Sequence, residues 1–171
     1  MDNNDILEQS GELGEITPWD ILINSILVRL NSLSDILRGE AGMETEIMIL
    51  EGGYPRIEAD YEGRRFYFGF IPVDEKDPDR CIFFILSDAA LPDAGEDENE
   101  KAARMLAADS FNVGSTFGHA VYDPERGSVS LRANIPELGG MSESEWYRYC
   151  FELFVGSLGE LEELLKQPAG E

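Results

Sequence analysis

Between Trp19 and Leu37 the apolar residues recur at helical spacing. Trp19, Ile23, Ile26, Leu27, Leu30, Leu33 and Leu37 fall on one broad stripe. Thr17 is placed to cap this helix, Pro18 suits its first turn, and Gly39 is the expected stop. Ile21 and Val28 lie off the stripe, on a face otherwise lined by Asn24, Asn31 and Asp35. The period then changes to two. Residues 44–50 predict an edge strand. Residues 54–61 put Ile57, Ala59 and Tyr61 on one face, Glu62-Gly63 turns the chain, and residues 64–71 return. On the returning strand Phe66, Phe68 and Phe70 share one side and Tyr67 and Ile71 the other, so two different covers are required. Residues 72–79 read as a polar loop. Residues 81–86 are apolar on both faces, the pattern of a central strand.

Residues 91–100 contain Pro92, Gly95 and five acids with no base, and read as a solvated loop. A helix is expected over 97–109, with Asp97–Lys101 and Glu100–Arg104 as favourable pairs and a modest apolar face of Ala102, Ala103, Met105, Leu106 and Ala107. A second hairpin follows. Residues 116–122 alternate, Asp123-Pro124-Glu125-Arg126-Gly127 turns the chain, and Val129, Leu131 and Ala133 return on one face. Residues 136–140 read as a loop. Ser142 and Glu145 form a capping box for the last helix, whose apolar stripe runs from Trp146 to Leu165. Gly156 and Gly159 lie on its polar side, where they predict a bend or a close backbone approach, and Pro168 ends it. The order α-β-β-β-(β)-α-β-β-α predicts an α+β domain, an antiparallel sheet with flanking helices. No internal repeat is present.

Composition narrows the function classes. The 171 residues carry 35 acids and 13 bases, a formal charge of −22. A polyphosphate or an anionic lipid surface needs a basic face, which argues against nucleic acid and peripheral membrane partners. No apolar run reaches the ~20 residues of a membrane helix, so no membrane insertion is expected. The first residues carry four acids before Gly14 and no base, unlike a secretory signal. Residues 1–16 are expected to be an acidic flexible tail, and residues 17–168 a single domain. Cytoplasmic residence in a bacterium-like cell is expected. Cys81 and Cys150 read as buried thiols.

The search for chemistry finds none. His119 is the only histidine, which excludes a histidine dyad, and neither cysteine has metal-type spacing. Residues 93–100 do not match a calcium loop. The glycines lack phosphate-binding spacing. No catalytic residue, no metal and no cofactor is therefore expected. The off-stripe residues Ile21, Val28, Tyr67 and Ile71 are the candidate partner-binding positions.

The segment Met105-Leu106-Ala107-Ala108-Asp109-Ser110-Phe111-Asn112 is followed by Gly118-His119-Ala120-Val121-Tyr122-Asp123, the turn to Gly127, and Val129-Ser130-Leu131-Arg132-Ala133-Asn134-Ile135-Pro136. Together with the helix capped at Ser142, this succession resembles the second half of the bacterial type III secretion chaperone-like superfamily, which includes the Tir-chaperone family and the YbjN-like proteins. The resemblance extends over residues 17–167, with matching residue types over 105–155. It implies a homodimeric, acidic, non-enzymatic protein that binds an extended segment of another protein through apolar grooves and strand addition. In the secretion branch the partner is an effector. The YbjN-like branch implies a regulator or adaptor without such a client. By the same resemblance Met105 and Phe117 are expected at the dimer interface.

Overall fold

The computed structural model describes residues 16–49, 53–74, 77–91, 97–136 and 140–167. All but Ile16 of the expected acidic tail and the stop at Pro168 lie outside the described residues, as do residues 92–96 of the loop expected at 91–100 and 137–139 of the loop expected at 136–140; residues 98–100 belong to a helix. The elements are α1 (Pro18–Ala41), β1 (Glu44–Met48), β2 (Arg56–Tyr61), β3 (Arg64–Asp74), β4 (Asp77–Asp88), α2 (Glu98–Gly114), β5 (His119–Asp123), β6 (Ser128–Pro136) and α3 (Glu143–Leu165). The strands form one sheet in the order β1-β2-β3-β4-β6-β5, and every pairing is antiparallel. The protein is thus an α+β fold with one six-stranded sheet and three helices.

Local chemistry explains the elements. The Thr17 hydroxyl accepts from the Asp20 N–H and the Asp20 carboxylate reaches back to the Thr17 N–H, a capping box at the start of α1. The same reciprocal pair, Ser142 with Glu145, starts α3. The Thr17 and Ser142 hydroxyls, which donate to the Asp20 and Glu145 carboxylates, together with the cap N–H groups hold those carboxyls below their ordinary values. The β2–β3 turn has Glu62 at φ 51° and Gly63 at φ 77°, the left-handed pair that matches a two-residue hairpin to strand twist. The β5–β6 turn is fixed by Asp123, whose Oδ1 accepts from the N–H of Glu125 and Arg126.

All three helices lie on one face of the sheet. Leu22, Ile26, Leu30, Leu33 and Leu37 of α1 are buried, as are Trp146, Tyr147, Cys150, Phe154, Leu158 and Leu161 of α3. They meet Ile57, Ala59, Phe66, Phe68, Phe70, Phe83, Ile85, Val129, Leu131 and Ala133. Aromatic rings dominate this layer: Phe66 lies 5.2 Å from Phe151, Phe68 6.2 Å from Phe83, and Phe83 5.1 Å from Tyr147. Polar ties join the helices across it. Glu143 accepts from Ser32 of α1 and from the Tyr147 hydroxyl, and Arg29 sits 4.3 Å above the Phe70 ring. Burial and the neighbouring Glu143 carboxylate push the Tyr147 phenol far above its usual value. Glu162 pairs with Arg64 at 2.8 Å and accepts from the Ala90 N–H, so α3 is also fixed to the end of β4.

Several expectations are corrected. Helix α1 runs through Gly39 and ends at Gly42, whose φ of 66° is the left-handed cap. Its buried stripe includes Leu22, while Trp19 is 43% exposed and stacks on Tyr54 at 5.5 Å. The polar loop expected over 72–79 is mostly strand, with Pro72 opposite Cys81 beside a register shift, where a missing N–H is tolerated. Helix α2 begins one residue later than expected, runs on to Gly114, and buries Arg104, Ala108 and Phe111 rather than the expected apolar face. Arg104 is held inside by Glu100 and by the Gly127 carbonyl. Lys101 pairs with Glu98, while Asp97 caps the helix. At Gly156 and Gly159 a Cβ would meet nothing within 4 Å among the described residues, so no described backbone approaches closely there.

Ser142→Ala removes one half of the α3 capping box. A loss of about 1 kcal/mol is expected from urea unfolding followed by far-ultraviolet circular dichroism.

Candidate protein-binding face

The face of the sheet turned away from the helices has a defined composition. Register places Tyr67 opposite Leu86, Gly69 opposite Phe84, and Ile71 opposite Ile82. On the far side of β4, Leu86 faces Arg132, Phe84 faces Asn134, and Ile82 faces Pro136. Strand alternation makes all of these residues neighbours on one surface. Tyr67, Ile71, Ile82, Phe84 and Leu86 are each half-buried, while their chain neighbours Phe66, Phe68, Phe70, Phe83 and Ile85 are buried on the helix side. Among the described residues, no helix packs on this second face.

An apolar stripe therefore runs along β3 and β4 in the middle of a surface that is mostly polar, with Met48 of β1 and Val121 of β5 as outlying apolar positions. Its flanks are guanidiniums. Arg56 lies 4.7 Å above the Tyr67 ring and Arg132 5.6 Å above the Phe84 ring. Arg56 is held by Glu58 at 2.7 Å, and Arg65 by Asp60 at 3.2 Å. Asp60 is also the main reason the Arg65 guanidinium is raised above its ordinary value. The Phe84 ring lies across Gly69: a Cβ at that glycine would sit 2.5 Å from Phe84 Cε1. The missing side chain on β3 is thus the seat of the ring on β4.

Both edges of the sheet are engaged by helices. At β5, the Asn112 side chain of α2 accepts the Ala120 N–H at 2.7 Å and donates to the Ala120 carbonyl at 2.9 Å. One amide thus occupies the donor and the acceptor of a strand residue, as a neighbouring strand does. At β1, Arg38 of α1 donates to the Thr45 carbonyl at 2.6 Å, and the Ser34 and Thr45 hydroxyls share a hydrogen bond at 2.7 Å. Such caps blunt the tendency of exposed edges to recruit further strands.

The candidate residues divide between two surfaces. Tyr67 and Ile71 stand on the open sheet face. Ile21 and Val28, 54% and 71% exposed, lie on the side of α1 turned away from the sheet, with the helix layer between the two pairs. One short segment cannot touch all four. Met105 is 45% exposed on α2, whereas Phe117 is half-buried against the core. The face also contains residues the periodicity did not single out, namely Ile82, Phe84 and Leu86. Their signal was present, since 81–86 is apolar on both sides and only one side can face the helices.

Other sites carry less. His119 is exposed on the same face, opposite Arg132. Both cysteines are buried, and burial pushes the Cys150 thiol up to about 11, which makes it a poor nucleophile. A groove of about 710 Å³ runs between the start of α2 and the end of α3, lined by Leu91, Ala103, Leu106, Ala107 and Leu164. Among the described residues no group of three or more His, Cys, Asp or Glu is placed to hold a metal ion. Among them, no helix is long and apolar enough to cross a membrane. No family model matches the chain, and comparison with curated proteins finds no match.

Gly69→Ala forces the Phe84 ring off its seat. A loss of roughly 1–3 kcal/mol is expected in urea unfolding, with a changed near-ultraviolet aromatic signal. Asn112→Ala exposes the β5 edge; the expected result is a loss of about 1–3 kcal/mol and new concentration-dependent association by light scattering.

Proposed function

We propose that the chain is a non-enzymatic protein-binding module that holds a segment of a partner protein. The observation that carries this reading is the apolar stripe of Tyr67, Ile71, Ile82, Phe84 and Leu86 on a sheet face that no helix covers among the described residues. An antiparallel sheet with one solvated face ordinarily alternates apolar inside with polar outside. Here the two central strands break that rule over adjacent positions, which is the mark of a contact surface rather than of scattered surface residues. The charge of −22 selects partners with basic segments and steers them to the protein. This reading agrees with the type III secretion chaperone-like resemblance. The resemblance further suggests a homodimer, for which Met105 on the outer side of α2 is the exposed candidate.

The test is partner capture from the native lysate at low and moderate salt, with the wild type beside Ile71→Glu and Val28→Glu. The expected outcome is one dominant protein held by the wild type at both salts, lost with Ile71→Glu and kept with Val28→Glu. A partner kept by both variants, or released by moderate salt alone, overturns the assignment to this face.

A further inference from the structure

We infer that the segment held on the open face is an amphipathic helix with basic flanks, lying on the sheet rather than adding to its edge. The inference rests on the protein-binding reading above and names the partner's conformation and chemistry.

The first ground is hydrogen bonding. An extended segment leaves one N–H and one C=O per residue to be satisfied, and a sheet satisfies them only along its edge. Here Asn112 occupies both backbone groups of Ala120 on β5, and Arg38 occupies the Thr45 carbonyl on β1. The face offers an extended chain little in return: its centre is Tyr67, Ile71, Ile82, Phe84 and Leu86, which bring one hydroxyl among them. A helix satisfies its backbone internally and needs only an apolar surface beneath it. The opposite face already shows this arrangement, with α1 and α3 on the alternate residues of the same strands.

The second ground is charge. Glu58 and Asp60 are committed to Arg56 and Arg65. Glu44 and Glu46 of β1 and Asp88 of β4 form no ion pair among the described residues, and register puts them on the same face as the stripe. Against the guanidiniums of Arg56, Arg65, Arg80 and Arg132 on this face, the carboxylates of Glu44, Glu46, Glu58, Asp60 and Asp88 leave a small negative excess around the apolar surface. Lys or Arg beside the apolar stripe of a docked helix would meet them. A second copy of this chain would bring the same carboxylates and a further charge of −22.

The probe is a synthetic peptide of about eighteen residues, ~27 Å long as a helix, with Leu at i, i+3, i+4 and i+7 and Lys elsewhere. Its counterparts carry Glu for Lys, or Leu and Lys in strict alternation to favour a strand. Binding is followed by amide chemical-shift mapping on the full chain and by circular dichroism. Saturable binding of the Leu/Lys helix peptide is expected, with gained helicity and shifts centred on Tyr67, Ile82, Phe84 and Leu86. It should persist from about 0.15 M to about 1 M salt, where the Debye length falls from ~8 to ~3 Å. Ile82→Lys, checked for a native spectrum, should weaken it at least about tenfold, and so should Ile71→Lys, placed nearer the stripe's end. Equal binding of the Glu peptide overturns the charge argument. Preference for the alternating peptide, with shifts at β1 or β5, overturns the helix while leaving the protein-binding reading standing. Binding of no peptide at the face overturns the inference too, and the lysate capture then shows whether the broader reading survives.

Discussion

Every other feature of this protein follows from one-sided burial. Three helices occupy one face of a six-stranded sheet, and the contact is made by a band of aromatic rings: Phe66, Phe68 and Phe83 from the strands, Phe151, Phe154, Trp146 and Tyr147 from α3. Burying one such ring is worth about 1.5–3 kcal/mol, so the band outweighs the surface ion pairs, each worth about 0–1 kcal/mol. Strand alternation then removes any choice for the remaining side chains. Once Phe66, Phe68 and Phe70 face the helices, Tyr67 and Ile71 must face the other way, and likewise Ile82, Phe84 and Leu86 opposite Phe83 and Ile85. The open stripe is a geometric consequence of the core.

That stripe is stabilised, but not covered, by its own surroundings. Phe84 finds a seat on Gly69, and the guanidiniums of Arg56 and Arg132 lie over the flanking rings. Arginine stems can shield apolar surface while leaving the charge in water. They can also move aside, which a helix packed on the face could not. The arrangement keeps an apolar surface tolerable in solution and accessible to a partner.

Much of this was legible in the residues, and the misses share physical causes. The caps at Thr17 and Ser142, the Glu62-Gly63 turn and the alternation of 64–71 depend on neighbours in sequence, and each appears in the fold as read. The errors arise where a residue's role depends on distant partners. Arg104 counts as polar in any periodicity, yet the Gly127 carbonyl and Glu100 let α2 bury it, and the inward face of that helix turns accordingly. Trp19 falls on the apolar stripe of α1 by spacing, but it lies at the rim beside Tyr54 and Leu22 takes the interior. Of the candidate contacts, Tyr67 and Ile71 were readable from alternation. Ile21 and Val28 were chosen by the same off-stripe logic, which cannot say on which side of the molecule a helix presents its outer face.

The state of the edges decides what this surface can do. A sheet with free edges and an apolar face could hold a partner in either way, and strand addition would gain backbone hydrogen bonds that face docking lacks. Here a helix side chain has been placed on each edge strand, and Asn112 does so with the complementary donor and acceptor that a new strand would need. A strand arriving at Ala120 must first break two hydrogen bonds, and it recovers no more than it breaks there. The face presents less competition, because among the described residues over Phe84 lies only the Arg132 guanidinium, whose one hydrogen bond is to the Asn134 side chain. The balance therefore shifts from hydrogen bonding toward apolar burial, and burial without edge pairing favours a partner whose backbone is already satisfied.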